Sequence, residues 1–83
     1  MTTPTIHLNG TPRERLIDAL CDAGGAVSAA IGAVRYTAPN GRDYYPQGPE
    51  AIGTATAEHL VRLAKLQTVL DELQALALAI DEA

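Results

Sequence analysis

The sequence predicts an all-α protein: a hairpin of two long helices joined by a structured Pro/Gly/Tyr loop, with a short N-terminal arm, assembling into a helical-bundle oligomer. Three observations lead there. Apolar residues recur in steps of three and four over two long segments, the spacing that keeps one face of a helix turned toward a partner. All three tyrosines fall between Tyr36 and Tyr45, beside an Asn-Gly turn and ahead of or among three of the five prolines. Outside that window the chain reads as Ala/Leu-rich helix, so the aromatic groups belong to the connector and not to the core.

The 83 residues make one domain, divided as an arm over 1–10, a helix over 12–36, a loop over 37–49 and a second helix over 50–81. In the arm, Thr5-Ile6-His7-Leu8 alternates too briefly for a stable strand, and Asn9-Gly10 marks a turn. Thr11-Pro12-Arg13-Glu14 has the form of a capping box with proline at the first helical position, the Thr11 hydroxyl accepting from the Glu14 amide. The seam of the first helix runs Ile17, Leu20, Gly24, Val27, Ile31, Val34. Gly24, Gly25 and Gly32 each cost about 0.8 to 1 kcal/mol in helix propensity. Either a close helix crossing at Gly24 offsets that cost, so that Gly24→Ala destabilises by overpacking, or the helix kinks at Gly24-Gly25.

Gly48-Pro49-Glu50 opens the second helix, with Pro49 in its first turn. Its seam runs Ile52, Thr56, His59, Leu63, Leu66, Leu70, Leu73, Ala77, Ile80. Val69 and Leu76 widen the stripe, and Leu60, Val61 and Leu78 lie off it. A two-helix hairpin covers one stripe per helix, so this surplus predicts a second interface. The second helix outruns the first by about two turns. At this length a lone core leaves little net stability, which also favours a homo-oligomer.

Net charge is −4, which argues against general nucleic-acid binding. Charge is unevenly spread: residues 35 to 65 hold Arg35, Arg42, Arg62 and Lys65 against Asp43, Glu50 and Glu58, and the ends are acidic. The single cysteine, Cys21, makes no internal disulfide, and two isolated histidines make no structural zinc site. No stretch approaches the roughly 18 to 20 continuous apolar residues of a membrane span, and the N-terminus lacks signal-peptide features. The expectation is a cytoplasmic protein without membrane contact. No metalloprotease, phosphate-loop, dinucleotide or nucleophile-triad motif is present, so neither catalytic residues nor a cofactor are assigned.

The loop carries the chemistry. Arg42 and Arg35 offer planar forks suited to phosphate, Tyr44 and Tyr45 offer ring faces, and Asn40, Gln47 and the loop amides can read base edges. That set suits a nucleotide. The competing reading is structural: Asn40-Gly41-Arg42-Asp43 as a tight turn in which Arg42 pairs with Asp43 or a helix C-terminus, with the tyrosines capping the end of the hairpin core. Tyr and Arg are also the usual anchors of protein interfaces. His59 sits on the seam, and a histidine there is more often a core polar group. Should the second helix fold back beside the loop, His59, Arg62 and Lys65 could complete a shared basic pocket. The candidate ligand-binding set is therefore Arg42, Tyr44, Tyr45, Arg35, Gln47, His59 and Arg62.

Three blocks carry a resemblance over most of the chain: Ile6-His7-Leu8-Asn9-Gly10-Thr11; Ala38 to Pro49 (APNGRDYYPQGP); and Ala57-Glu58-His59 followed by Arg62. In these the chain resembles a group of small, mostly uncharacterised proteins of tailed phages and prophages. The resemblance implies a phage accessory protein working in the host cytoplasm, and it transfers no activity to any residue. With the loop chemistry it makes counter-defence the leading expectation, by sequestering a nucleotide immune signal. The alternatives are an anti-CRISPR-type inhibitor of a host defence protein and a passive assembly or virion accessory protein.

Overall fold

The computed structural model covers residues 1–83 and contains helices and turns only. In chain order these are α1 (Arg13–Arg35), the short α2 (Gly41–Tyr44), a single 3-10 turn (Tyr45–Gln47) and α3 (Ala51–Glu82). α1 packs antiparallel along α3, and α2 with the 3-10 turn closes the loop end against the start of α3. At the far end the Arg13 guanidinium donates to the carbonyl oxygen of Ala83, tying the first turn of α1 to the end of α3. The molecule is a rod, 62 × 20 × 17 Å.

α1 runs unbroken through Gly24-Gly25. Gly24 is buried against Leu70, but a β-carbon built on it would lie 3.6 Å from Leu70 Cδ1, an ordinary contact with the end of a flexible side chain. Gly24 meets the end of the Leu70 side chain and no backbone atom of α3 within 4 Å, so there is room for a methyl group and the close helix crossing expected there is not found. The expected overpacking on Gly24→Ala is therefore set aside.

The anticipated capping box does not form. Pro12 is itself the N-cap, in extended conformation, and no side chain caps α1. The carbonyl of Pro12 accepts from the amides of Arg15 and Leu16 at 3.1 and 3.2 Å. Proline at the cap still leaves no orphan amide of its own. At the other junction Pro49 precedes the N-cap Glu50 and does not lie in the first turn. Gly48 takes φ +109°, a left-handed value that glycine accepts without strain, and so lets the chain leave the 3-10 turn and enter α3.

The α1 seam is the one read from the sequence: Gly24 and Ile31 are buried, and Ile17, Leu20, Val27 and Val34 are half-buried. On α3 one position changes. Thr56 is exposed, its hydroxyl donating to the Ile52 carbonyl at 2.8 Å, and Ala55 is buried in its place. A straight helix of 3.6 residues per turn drifts from a strict three-four repeat, and near the loop end that drift turns Ala55 inward. Ile80 is fully buried.

Only 5 of 83 residues are buried, and the accessible surface is 6095 Å². A compact monomer of 8.7 kDa exposes about 4,700 Å². The radius of gyration, 18.5 Å, likewise exceeds the roughly 12 Å of a compact domain of this length. By length and composition α1 would pass for a membrane span, with a mean hydropathy of 1.4 over an 18-residue window of which 6% is buried. The sequence expectation that no segment comes near one needs that correction. Asp22 stands near the middle of α1, and a charged group at mid-span is expensive in lipid.

Candidate functional site

The loop is built by local hydrogen bonds. α1 ends where Tyr36, Thr37 and Ala38 fold their amides back onto the carbonyls of Ala33, Val34 and Arg35. Pro39 cannot continue that pattern, having no amide hydrogen. Asn40 then caps α2: its Oδ1 accepts from the Arg42 amide at 3.0 Å and its carbonyl accepts from the Asp43 amide at 3.0 Å. The Asn-Gly-Arg-Asp segment is thus a capped helical turn, as the structural reading anticipated, but the Arg42 side chain pairs with neither Asp43 nor a helix C-terminus. The Arg42 side chain is not consumed by that role. It is exposed, and the side-chain hydrogen bonds of the chain run elsewhere.

The three tyrosines part company. Tyr44 is half-buried against the start of α3, in a shallow depression that it shares with Gln47, Glu50, Thr54 and Glu58. Tyr36 and Tyr45 are 94% and 77% exposed, so their ring faces are open. Arg35 and Tyr36 border a separate hollow beside Gly32. Arg62 and Lys65 line a third, on the outer flank of α3, with Glu58 and Val61. Glu58 belongs to both hollows on α3, so Tyr44, Gln47, Glu58, Arg62 and Lys65 follow one flank of that helix.

His59 is 4% exposed and lies on the stripe that faces α1, with Nδ1 buried and without a hydrogen-bond partner. It does not open onto the loop. The shared basic pocket anticipated from His59, Arg62 and Lys65 is therefore not assembled within one chain. Glu50 and Glu58 in the Tyr44 depression also oppose an anionic ligand there. The groups free to meet a ligand are Arg42, Tyr45, Tyr36 and Arg35, all displayed outward at the loop end. Tyr36 was not among the sequence-derived candidates, although its place directly after Arg35 was the signal for it.

No three of the histidine, cysteine, aspartate and glutamate side chains gather at metal-binding spacing. Comparison of the chain with protein families, with curated proteins and with solved structures yields no match.

Proposed function

We propose that this protein acts by binding, as a phage counter-defence protein that sequesters a nucleotide immune signal at the loop ends of a homo-oligomer. The observation that carries the reading is the pairing of an open guanidinium with open rings on a rigid support. Arg42 is free of partners in the chain while its backbone is pinned by the Asn40 cap, and Tyr45 and Tyr36 stand 77% and 94% exposed close by in sequence. Guanidinium forks suit phosphate oxygens and tyrosine faces suit bases. A single chain spreads these groups over a convex end, so a concave site requires a second chain to close it. The phage assignment rests on the sequence resemblance.

Isothermal calorimetry against cyclic dinucleotides, cyclic trinucleotides and ADP-ribose-type signals tests the proposal. Saturable binding to one of these classes, at one site per loop end, supports it. Silence toward all three classes, from a sample shown to be folded and assembled, refutes it. The runner-up is a blocker of a host defence protein, favoured by one specific observation: an exposed, convex Tyr/Arg patch is what a protein interface presents before it is covered.

A further inference from the structure

Along α1, Cys21, Gly25, Ser28 and Gly32 follow one another in steps of four, three and four, on one flank of the surface that meets α3. No side chain in the row is larger than a thiol. Cys21, Gly25 and Ser28 form one wall of a groove of about 380 Å³ between the two helices, and Leu70 and Gln74 form part of the other. The hairpin itself has no use for two of these small residues. A β-carbon built on Gly25 or on Gly32 would meet nothing within 4 Å, whereas one on Gly24 meets Leu70. Each glycine nonetheless costs about 0.8 to 1 kcal/mol of helix propensity. Leu60 and Leu78 are 59% and 58% exposed. Their separation of 18 residues is about five whole turns, so they share one angular position on α3, and Leu78 lies about one turn beyond the groove residue Gln74.

We infer that a second copy of this chain docks on this flank, its own Cys21-Gly25-Ser28-Gly32 row laid antiparallel against the first. The inference rests on the homo-oligomer reading above and names the surface that it uses. Area supports a second copy as the occupant. The chain exposes 6095 Å², about 1,400 Å² more than a compact monomer of its mass, while a standard interface covers about 800 Å² per partner. Rows of small residues also let two helix backbones approach to about 8 Å, the short end of the usual interaxial range.

Two-fold symmetry requires the contact to be self-complementary. An antiparallel axis between Gly25 and Ser28 meets that condition. It sets Cys21 opposite Gly32 of the second copy, Gly25 opposite Ser28, and Arg35 opposite Asp18, so that unlike charges meet at both ends of the row. Leu60 and Leu78 then cover the rim. Arg35 is drawn into the interface by this arrangement, and Arg42 with Tyr45 remains for the ligand.

The experiment combines light scattering with alkylation of Cys21, which is the only thiol and is exposed in the single chain. The variants are Gly25→Leu and Gly32→Leu, with Gly53→Leu as control, because Gly53 also has open space around it but lies on α3. The expected result is an assembled wild type whose Cys21 reacts with a maleimide about tenfold or more slowly than in either α1 variant, since thiol reaction follows access. Both variants should lose the assembly while circular dichroism shows full helix content, and Gly53→Leu should behave as wild type. An assembled wild type whose two α1 variants remain assembled, with unchanged alkylation, overturns this surface and leaves the oligomer reading standing. A monomeric wild type with fast alkylation overturns both. Cys21 protection that appears only on adding phosphatidylcholine and phosphatidylglycerol vesicles also overturns the inference, because α1 then faces lipid.

Discussion

Gly24→Ala should stabilise this protein, and the size of the effect follows from the geometry. The new methyl group lies 3.6 Å from Leu70 Cδ1, a distance at which carbon atoms attract. Replacing glycine by alanine inside a helix gains about 0.8 to 1 kcal/mol. Burying one methyl-sized group adds at most about 0.8 kcal/mol. A net gain of about 1 to 1.5 kcal/mol raises the melting temperature by about 4 to 12 °C in a domain of this size. Thermal unfolding followed by circular dichroism measures it, with wild type and variant at one protein concentration, because an assembling protein has a midpoint that depends on concentration. A fall in melting temperature refutes the reasoning. It would mean that something stands closer to Gly24 than the end of Leu70, as a second chain pressed into the groove at that level would.

Three further outcomes follow from named contacts. Leu70→Asp places a charge beside Gly24 in the helix interface, where nothing pairs with it; cooperative unfolding at lower temperature, or loss of helix content at 25 °C, is expected, and an unchanged urea midpoint contradicts the packing. His59→Leu removes a buried ring whose Nδ1 has no partner and should raise stability by about 1 to 3 kcal/mol, the penalty of an unsatisfied buried polar group; a loss in chemical denaturation contradicts the unpaired state of the ring. Asn40→Ala removes the cap of α2, worth about 0.5 to 2 kcal/mol locally; hydrogen exchange at the Arg42 amide should speed up several-fold while the melting temperature stays put, and slow exchange in the variant contradicts the role given to the cap.

The helix pair was legible in the sequence because periodicity reports directly on which face is covered. All six seam positions of α1, from Ile17 to Val34, point where the spacing placed them. On α3 the seam failed only at Thr56, where neither hydropathy nor spacing announces that a hydroxyl will satisfy itself on the Ile52 carbonyl and leave the inner place to Ala55. The helix starts were less legible. Thr11 and Pro49 carry the right residue types, but capping depends on the direction in which the chain arrives, and Pro12 arrives extended. The loop's chemistry could be read from its composition, but its convergence could not. Whether Tyr44, Arg62 and His59 meet depends on how α2 docks on α3 and on which face His59 presents, and these are tertiary facts without a local signature. The freedom of Gly25 and Gly32 was equally hidden, since a glycine that serves a close approach and one in open space look alike in sequence.

On the proposed function the loop end binds an anionic, base-bearing ligand with Arg42 and Tyr45 while the helices only hold it in place. The direct measurement is a parallel calorimetric titration of wild type, Arg42→Ala and Tyr45→Ala with the nucleotide class that wild type binds, on samples matched for helix content and assembly. Both side chains are exposed, so both variants should keep the fold and mass of wild type. Each should lose about 1 to 3 kcal/mol of binding free energy, equivalent to a five- to 150-fold weaker dissociation constant. Wild-type affinity in both variants contradicts the claim, and so does a binding defect that appears only together with loss of helix content or assembly.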